Sequence, residues 1–368
     1  MTASPHRPGP LTGLRVVEFA GIGPGPYAAM LLADMGADTI RVDRPNARPR
    51  KHDISLRGRR IVTADLKNPA DVEKILALLD HAEALIEGFR PGVMERLGLG
   101  PDIVAKRNPK LVYDRMTGWG QTGPLAKVAG HDITYIAITG ALHSIGPRAG
   151  KPTPPLNLVG DYGGGSLYLA MGMLAAILSA RQTGLGQVVD CAISDCVVHM
   201  LSMFHGLQAD QQWTDQRGDN MLDGGAHFYT TYACKDGKHI AVGAIEPQFY
   251  AELRARAGLT APEFDAQRDR AAWPTLQEQA QKIFATKTRD EWTELLHMTD
   301  SCVAPVLTLK EAATHPHLAS RQAFVTRDGL AQSAPAPRFS RTPSTAGDRP
   351  VETSLDLLLS ALGGGEAR

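Results

Sequence analysis

Between Leu14 and Met116 short β-branched runs alternate with helix-like segments, and this rhythm limits the possible folds more than any other feature of the chain. Leu14–Ala20, Thr39–Val42, Ile61–Asp65, Ala84–Ile86 and Lys110–Met116 read as strands. Tyr27–Met35 and Asp71–Leu79 read as helices, with helical turns after Pro91 and Pro101. Strands separated by helices pair in parallel, because each crossover returns the chain across a sheet face. The predicted fold class is therefore α/β, with a large, doubly wound, Rossmann-like parallel sheet. Ligands of such sheets collect at the carboxyl ends of the strands. The loops Gly21–Pro26, Glu87–Arg90 and Thr117–Gln121 fall there. The first of them imitates a dinucleotide fingerprint, with Asp43 at about the right distance. Its third glycine is replaced by Pro26, however, and Pro24 and Pro26 lack the N–H groups that would cradle a pyrophosphate. A nicotinamide cofactor is disfavoured.

Charge composition narrows the partners. The 368 residues carry 39 basic and 39 acidic side chains, so no bulk field draws the chain to nucleic acid or to a membrane. The longest apolar run, Ser166–Ala180, falls short of the roughly 18 to 20 residues a span needs, and Gly172 interrupts it. MTASPHRPGP has no apolar signal core and reads as a short disordered lead. Cys191, Cys196, Cys234 and Cys302 have neither CxxC spacing nor scaffold density, which predicts reduced thiols and no zinc site. Arg41, Arg44, Arg48, Arg50, Lys51, Arg57, Arg59 and Arg60 face only Asp43 and Asp53 in the same stretch. That segment is either a solvated loop or a site for a small polyphosphate, since arginine grips phosphate bidentately. No aromatic residue lies within it to stack on bases.

Val128–Ile145 reads as a helix buried on most sides, opened by Gly130-His131-Asp132. A histidine on a first turn has its protonated form disfavoured, and the free amides there can hold an oxyanion. The same pair also fits a plain helix cap. Asp161 stands just ahead of a second apolar helix, Leu167–Arg181, behind three glycines; it is either an N-cap or a group aimed at a ligand. A strand at Gln187–Asp190 and a helix at Ser194–Leu207 close the large domain, residues 1–207. Residues 208–225 form a polar linker. A smaller α+β domain, 226–315, follows: strands His227–Cys234 and His239–Ala244 around Lys235-Asp236-Gly237, and a helix from Glu246-Pro247 to Arg256. Helices at Trp273–Phe284 and Arg289–Leu296, a strand at Ala304–Leu307 and a helix at Lys310–Ala313 complete it. Residues 316–368 contain a Pro- and Ser-rich tail and a last helix, Ser354–Leu362.

Several long blocks carry a resemblance: LRVVEFAGIGPGPYAAMLLADMGADTIRVDRP, EGFRPGVMERLGLGP, GHDITYIAITGALHSIG, PPLNLVGDYGGGSLYLAMGMLAAI and NMLDGGAHFYTTYACKDGKHIAVGAIEPQFY. They are similar to the class III CoA-transferase family, and within it to the α-methylacyl-CoA racemases, over nearly the whole chain. The resemblance implies a large CoA-binding domain, a small domain, and a C-terminal segment, 316–368, that returns to the large one, in two interlocked chains that share each active site. It implies acyl-CoA thioesters as substrates, no cofactor beyond the coenzyme A they carry, and no nucleic acid or membrane partner. It matches the two acid/base groups to His131 and Asp161, and the glutamate that contacts the histidine to Glu246. With general enolate chemistry it points to the backbone N–H of Asp132 as oxyanion donor. It places CoA near Ile22, Arg41, Arg44, Arg60, Ala64, Leu66, Gly88 and Arg90. Transfer of CoA between carboxylates, with Asp161 as nucleophile, is the nearest alternative; a non-catalytic acyl-CoA binder is a second. The chain ends in Gly365-Glu366-Ala367-Arg368, without a peroxisomal tripeptide, which predicts the cytoplasm.

Overall fold

The computed structural model describes residues 8–48 and 52–363. The N-terminal lead up to Arg7, Arg50, Lys51 and the terminal Gly365–Arg368 lie outside them. In chain order the elements begin with β1 (Arg15–Phe19), α1 (Pro24–Asp34), β2 (Asp38–Asp43), β3 (Arg60–Thr63), α2 (Pro69–Leu79) and β4 (Ala84–Glu87). Then come α3 (Val93–Arg96), α4 (Pro101–Arg107), β5 (Val112–Thr117), α5 (Asp132–Ala137) and α6 (Ala141–Ser144). A π-helix (Leu158–Leu167) leads into α7 (Tyr168–Thr183), followed by β6 (Val188–Ala192), α8 (Ile193–Met200) and α9 (Ser202–Ala209). Next are β7 (Tyr229–Ala233), β8 (His239–Gly243), α10 (Pro247–Ala257), α11 (Trp273–Phe284), α12 (Arg289–Leu296) and β9 (Val303–Pro305). The chain closes with α13 (Leu309–Ala312), α14 (Pro316–Ser320), β10 (Phe324–Arg327), β11 (Leu330–Ser333), β12 (Val351–Glu352) and α15 (Leu355–Gly363).

Two compact units result, the larger made of residues up to 139, 156–200 and 316 onward, the smaller of 140–155 and 201–315. The larger holds a seven-stranded parallel sheet in the order β12-β3-β2-β1-β4-β5-β6. Strand order reverses between β1 and β4, the switch point at which such sheets hold ligands, and the turns Gly21–Gly23 and Gly88–Arg90 follow these two strands. On one face Val17, Ile40, Val62 and Leu85 pack against Ile75, Leu78 and Leu79 of α2 and Leu355 and Leu358 of α15. The smaller unit pairs β7, β8 and β9 antiparallel beneath α10, α11 and α12. Its core is Phe228, Tyr232, Phe264, Phe284 and Trp292.

Several expectations change. The helix expected over Val128–Ile145 is broken: α5 ends at Ala137 and Gly140, at φ 91°, precedes α6. It is not buried on most sides, since only Asp132 and Ile136 of α5 are, while Ile133 and Ile138 are exposed. One and a half turns offer a single edge to pack. The expected helix Ser194–Leu207 is two, α8 and α9, interrupted at Leu201. Residues 324–333, for which no element is expected from the sequence, form the β10–β11 hairpin, and β12 extends the parallel sheet beside β3. The apolar run judged too short for a membrane is longer than expected: Leu158–Thr183 forms 26 continuous helical residues, sufficient by length and composition to cross one. Half of its apolar window is buried inside the protein, as in a core helix.

Candidate active site

His131 is the N-cap of α5, with extended backbone (φ −139°, ψ 170°) and an exposed side chain. Its N–H donates to Thr134 Oγ1 at 2.9 Å, and its carbonyl accepts from the N–H groups of Thr134 and Tyr135. The first N–H groups of the helix, that of Asp132 included, have no intrahelical acceptor. Tyr135, one turn beyond, holds this corner: its ring meets Trp119 edge-on at 4.8 Å and its hydroxyl donates to the Gly130 carbonyl.

Asp161 sits within the π-helix, not ahead of a helix as the sequence predicts. π-helical turns are rare and tend to mark functional sites. Glycines allow this one: a Cβ at Gly164 would come within 2.6 Å of Val197 Cγ2 on α8. The Asp161 N–H donates to Asp132 Oδ2 at 2.7 Å, and Asn157 Nδ2 lies 3.4 Å from Asp161 Oδ2. Ser166 Oγ bridges the Asp161 and Pro24 carbonyls at 3.1 and 2.8 Å, tying the π-helix to the start of α1. Burial raises the Asp161 carboxyl from its ordinary value; the Asn157 hydrogen bond opposes this, Asp132 adds to it and His131 opposes it. Burial also raises Asp132, against the N–H groups of Asp161 and Gly160. An exposed imidazole and a carboxyl raised from its ordinary value by burial thus stand on adjoining elements, joined through Asp132. That pairing can exchange protons with one bound molecule.

Glu246 stands in the smaller unit, as the exposed N-cap of α10 with Pro247 in the first turn.

The segment expected to grip phosphate separates into two groups. Arg41 Nη1 and Arg59 Nε bind the two oxygens of buried Glu18 at 2.7 and 3.1 Å, and Arg41 Nε binds Asp43 at 3.0 Å. Arg57 pairs with Asp34. Arg60 pairs with Asp38, its Nε at 3.0 Å, and does not line the cavity described below. Apart from Asp43, the acids Glu18, Asp34 and Asp38 precede the stretch in sequence, so counting charges within it misses them. Arg44 and Arg48 remain exposed and, with Lys67, line a cavity of about 650 Å³ at the carboxyl ends of β1 and β2. Ile22, Arg41, Ala64, Leu66 and Phe89 line it too. Gly88 and Arg90 are exposed beyond β4 and are absent from its described lining. The charge of Arg90 instead reaches Tyr135, whose hydroxyl is raised by burial and by Asp161 and lowered by Arg90. Tyr135, Asn157, Lys67 and Phe89 were missed from sequence; only Tyr135 carried a signal, four residues along the helix from His131.

Residues 11–351 match the family described as CoA-transferase family III. The chain belongs to that family. It is 44% identical over 336 residues to the alpha-methylacyl-CoA racemase of Mus musculus, covering 91% of this chain and 87% of that one. The Homo sapiens protein of the same name is 43% identical over 337 residues, with the same coverage. Matches of this extent make the chain an enzyme of the racemase type, an isomerase. Among solved structures, Rv3272 of Mycobacterium tuberculosis superposes with a TM-score of 0.79 at 27% identity, covering 95% of this chain and 98% of that one. That protein is named a probable fatty acyl-CoA transferase.

Proposed function

We propose that the enzyme interconverts (2R)- and (2S)-2-methylacyl-CoA thioesters by 1,1-proton transfer, with His131 and Asp161 as the two acid/base groups. The observation that carries this is the raised Asp161 carboxyl on an element joined to the one that bears His131. The names of the mouse and human relatives supply the substrate class. An α-proton next to a thioester carbonyl is weakly acidic, so removing it requires a positioned base and a donor for the enolate oxygen. In one direction neutral His131 takes the proton, the C–H pair becomes the enolate, and protonated Asp161 delivers its proton to the opposite face. The reverse direction exchanges the roles. The N–H of Asp132 donates to the enolate oxygen, and Glu246 orients His131 and steadies its charged form. The nucleotide end of CoA occupies the cavity, its phosphates on Arg44, Arg48 and Lys67.

The exposed apolar side chains Ile133, Leu158, Leu167, Met171 and Leu178 are consistent with a second copy of the chain covering them in an interlocked dimer. The same reading has no cofactor beyond CoA and a cytoplasmic enzyme. One rival keeps a specific observation: the Rv3272 relative is named a transferase, and Asp161 as nucleophile would form a mixed anhydride and release the CoA thiolate. The test is incubation with (2R)-2-methylacyl-CoA in heavy water, followed by NMR, beside His131→Ala and Asp161→Ala. Exchange of the α-proton with appearance of the 2S epimer, lost in both variants, supports the racemase. CoA transfer to an added carboxylate without α-exchange, lost only in Asp161→Ala, makes it a transferase.

A further inference from the structure

Asp132 is nine-tenths buried, and it joins α5 to the π-helix through Asp161, 29 residues on in sequence. Its Oδ2 accepts the Asp161 N–H at 2.7 Å, and the Gly160 N–H acts on the same carboxylate. The fit leaves no slack: a Cβ at Gly160 would lie 2.3 Å from that oxygen. Oδ1 is buried without a hydrogen-bond partner among the described residues. A carboxylate is an expensive group to bury in this way, and a cap on the π-helix would be met as well by a serine or threonine. From α5, Asp161 is faced by His131, Asp132 and Tyr135, and from its own segment by Asn157; the start of α1 brings Gly23 and Pro24, which do not titrate.

We infer that the Asp132 carboxylate is the positioning residue of the catalytic pair: it clamps the first turn of the π-helix to α5, and its negative charge keeps the Asp161 proton in place. On the two-base reading the backbone N–H of the same residue is the donor to the enolate, so one position would serve the oxyanion with its main chain and the acid with its side chain. This inference rests on the two-base reading above.

The experiment measures α-proton exchange into heavy water from each pure epimer, as kcat, KM and a full pH profile, for the full-length wild type, Asp132→Ala and Asp132→Asn. Asp132→Ala is expected to lose roughly 100-fold in kcat with little change in KM, the scale of a misplaced catalytic group. Asp132→Asn keeps an acceptor oxygen and recovers most of that loss. Its lost charge lowers the affinity of Asp161 for its proton, so the limb of each profile governed by Asp161 moves down by about one pH unit. That shift, which a merely structural contact would not produce, separates the two roles. Wild-type rates and profiles in both variants, an Asp132→Asn no better than Asp132→Ala, or an Asp132→Asn profile that does not move, overturn the inference while leaving the racemase reading intact. Failure of both variants to fold, judged by near-UV circular dichroism, overturns it as well, since the carboxylate is then a folding determinant. Absence of exchange in the wild type instead removes the two-base reading and this inference with it.

Discussion

In the larger unit the central strand carries, between apolar Val17 and Phe19, the ion-paired Glu18, which with Arg59 is essentially inaccessible, and Arg41, Asp43, Arg57 and Asp34 are close to that state. In the smaller unit the comparable interior is filled by rings. Phe284 lies between Tyr232 at 4.7 Å and Trp292 at 5.1 Å, and the indole N–H of Trp292 donates to the Phe284 carbonyl. A buried ion pair costs desolvation and is held by geometry, so removing one partner is severe. A ring cluster is held by area and shape, and answers to lost volume. The same chain therefore uses two kinds of interior, which should respond differently to charge, volume and pH.

The largest effect is expected from Glu18→Gln, which leaves two guanidinium groups buried without their shared carboxylate. A loss of about 5 kcal/mol is expected, visible as collapsed amide protection in β1–β3 by hydrogen exchange; protection within 1 kcal/mol of wild type, roughly the scale of a surface change, would mean that the ions are not what holds this sheet. Trp292→Ala should cost about 4 kcal/mol by emptying the ring cluster. Trp213, Trp273 and Trp292 belong to the smaller unit and only Trp119 to the larger. Tryptophan fluorescence during urea unfolding of such variants therefore follows mainly the smaller unit.

Acid should discriminate more gently. His227 is buried, with Nε2 2.7 Å from the Tyr250 hydroxyl, and burial lowers its pKa to about 4. In the unfolded chain a histidine titrates near 6.5, so the unfolded state binds the extra proton first and stability falls as pH drops from about 6.5 toward 4. Between pH 7 and pH 5 the smaller unit should lose about 2 kcal/mol. His227→Gln should flatten that dependence in urea titrations, and an unchanged slope would assign the acid sensitivity elsewhere. The smallest effect is reserved for Asp114 on β5, wholly buried, with neither oxygen hydrogen-bonded among the described residues and its carboxyl pushed well up by burial. The folded state keeps this proton where the unfolded state releases it, so the group weakens the fold progressively as pH rises above about 4. Asp114→Asn should stabilise the larger unit by about 1 kcal/mol, more at pH 8 than at pH 5. Destabilisation would point to a partner for that carboxyl.

The ring-filled unit was the more legible in sequence. α11 and α12 begin and end at the residues expected, because Pro274 near one start and Thr288 with Glu291 at the other fix the boundaries locally. The five strands of the first alternation were also readable, since fully buried parallel strands are short apolar runs between turns. What could not be read depends on partners distant in the chain. β12 has two residues and is a strand only because β3 lies beside it. Within the 41–60 stretch the arginines outnumber their acids until β1 and α1 bring Glu18 and Asp34 to them. His131 and Asp161 were legible as residue types at helix ends, whereas Asn157 and the Asp132 clamp were not, because nothing local requires them.

The π-helix has a consequence for how the sequence can vary in length. Each of its turns holds more residues than an α-helical turn, and Leu158–Leu167 runs directly into α7. Removing one glycine from Gly163–Gly165 would let the segment rewind as an α-helix and swing Asp161 by roughly 100° about the helix axis. A scan of substitutions would find those glycines constrained by space. A scan of single-residue deletions would find something stricter: a chain that keeps its sheet, its cores and both His131 and Asp161, and yet directs the Asp161 carboxyl away from His131.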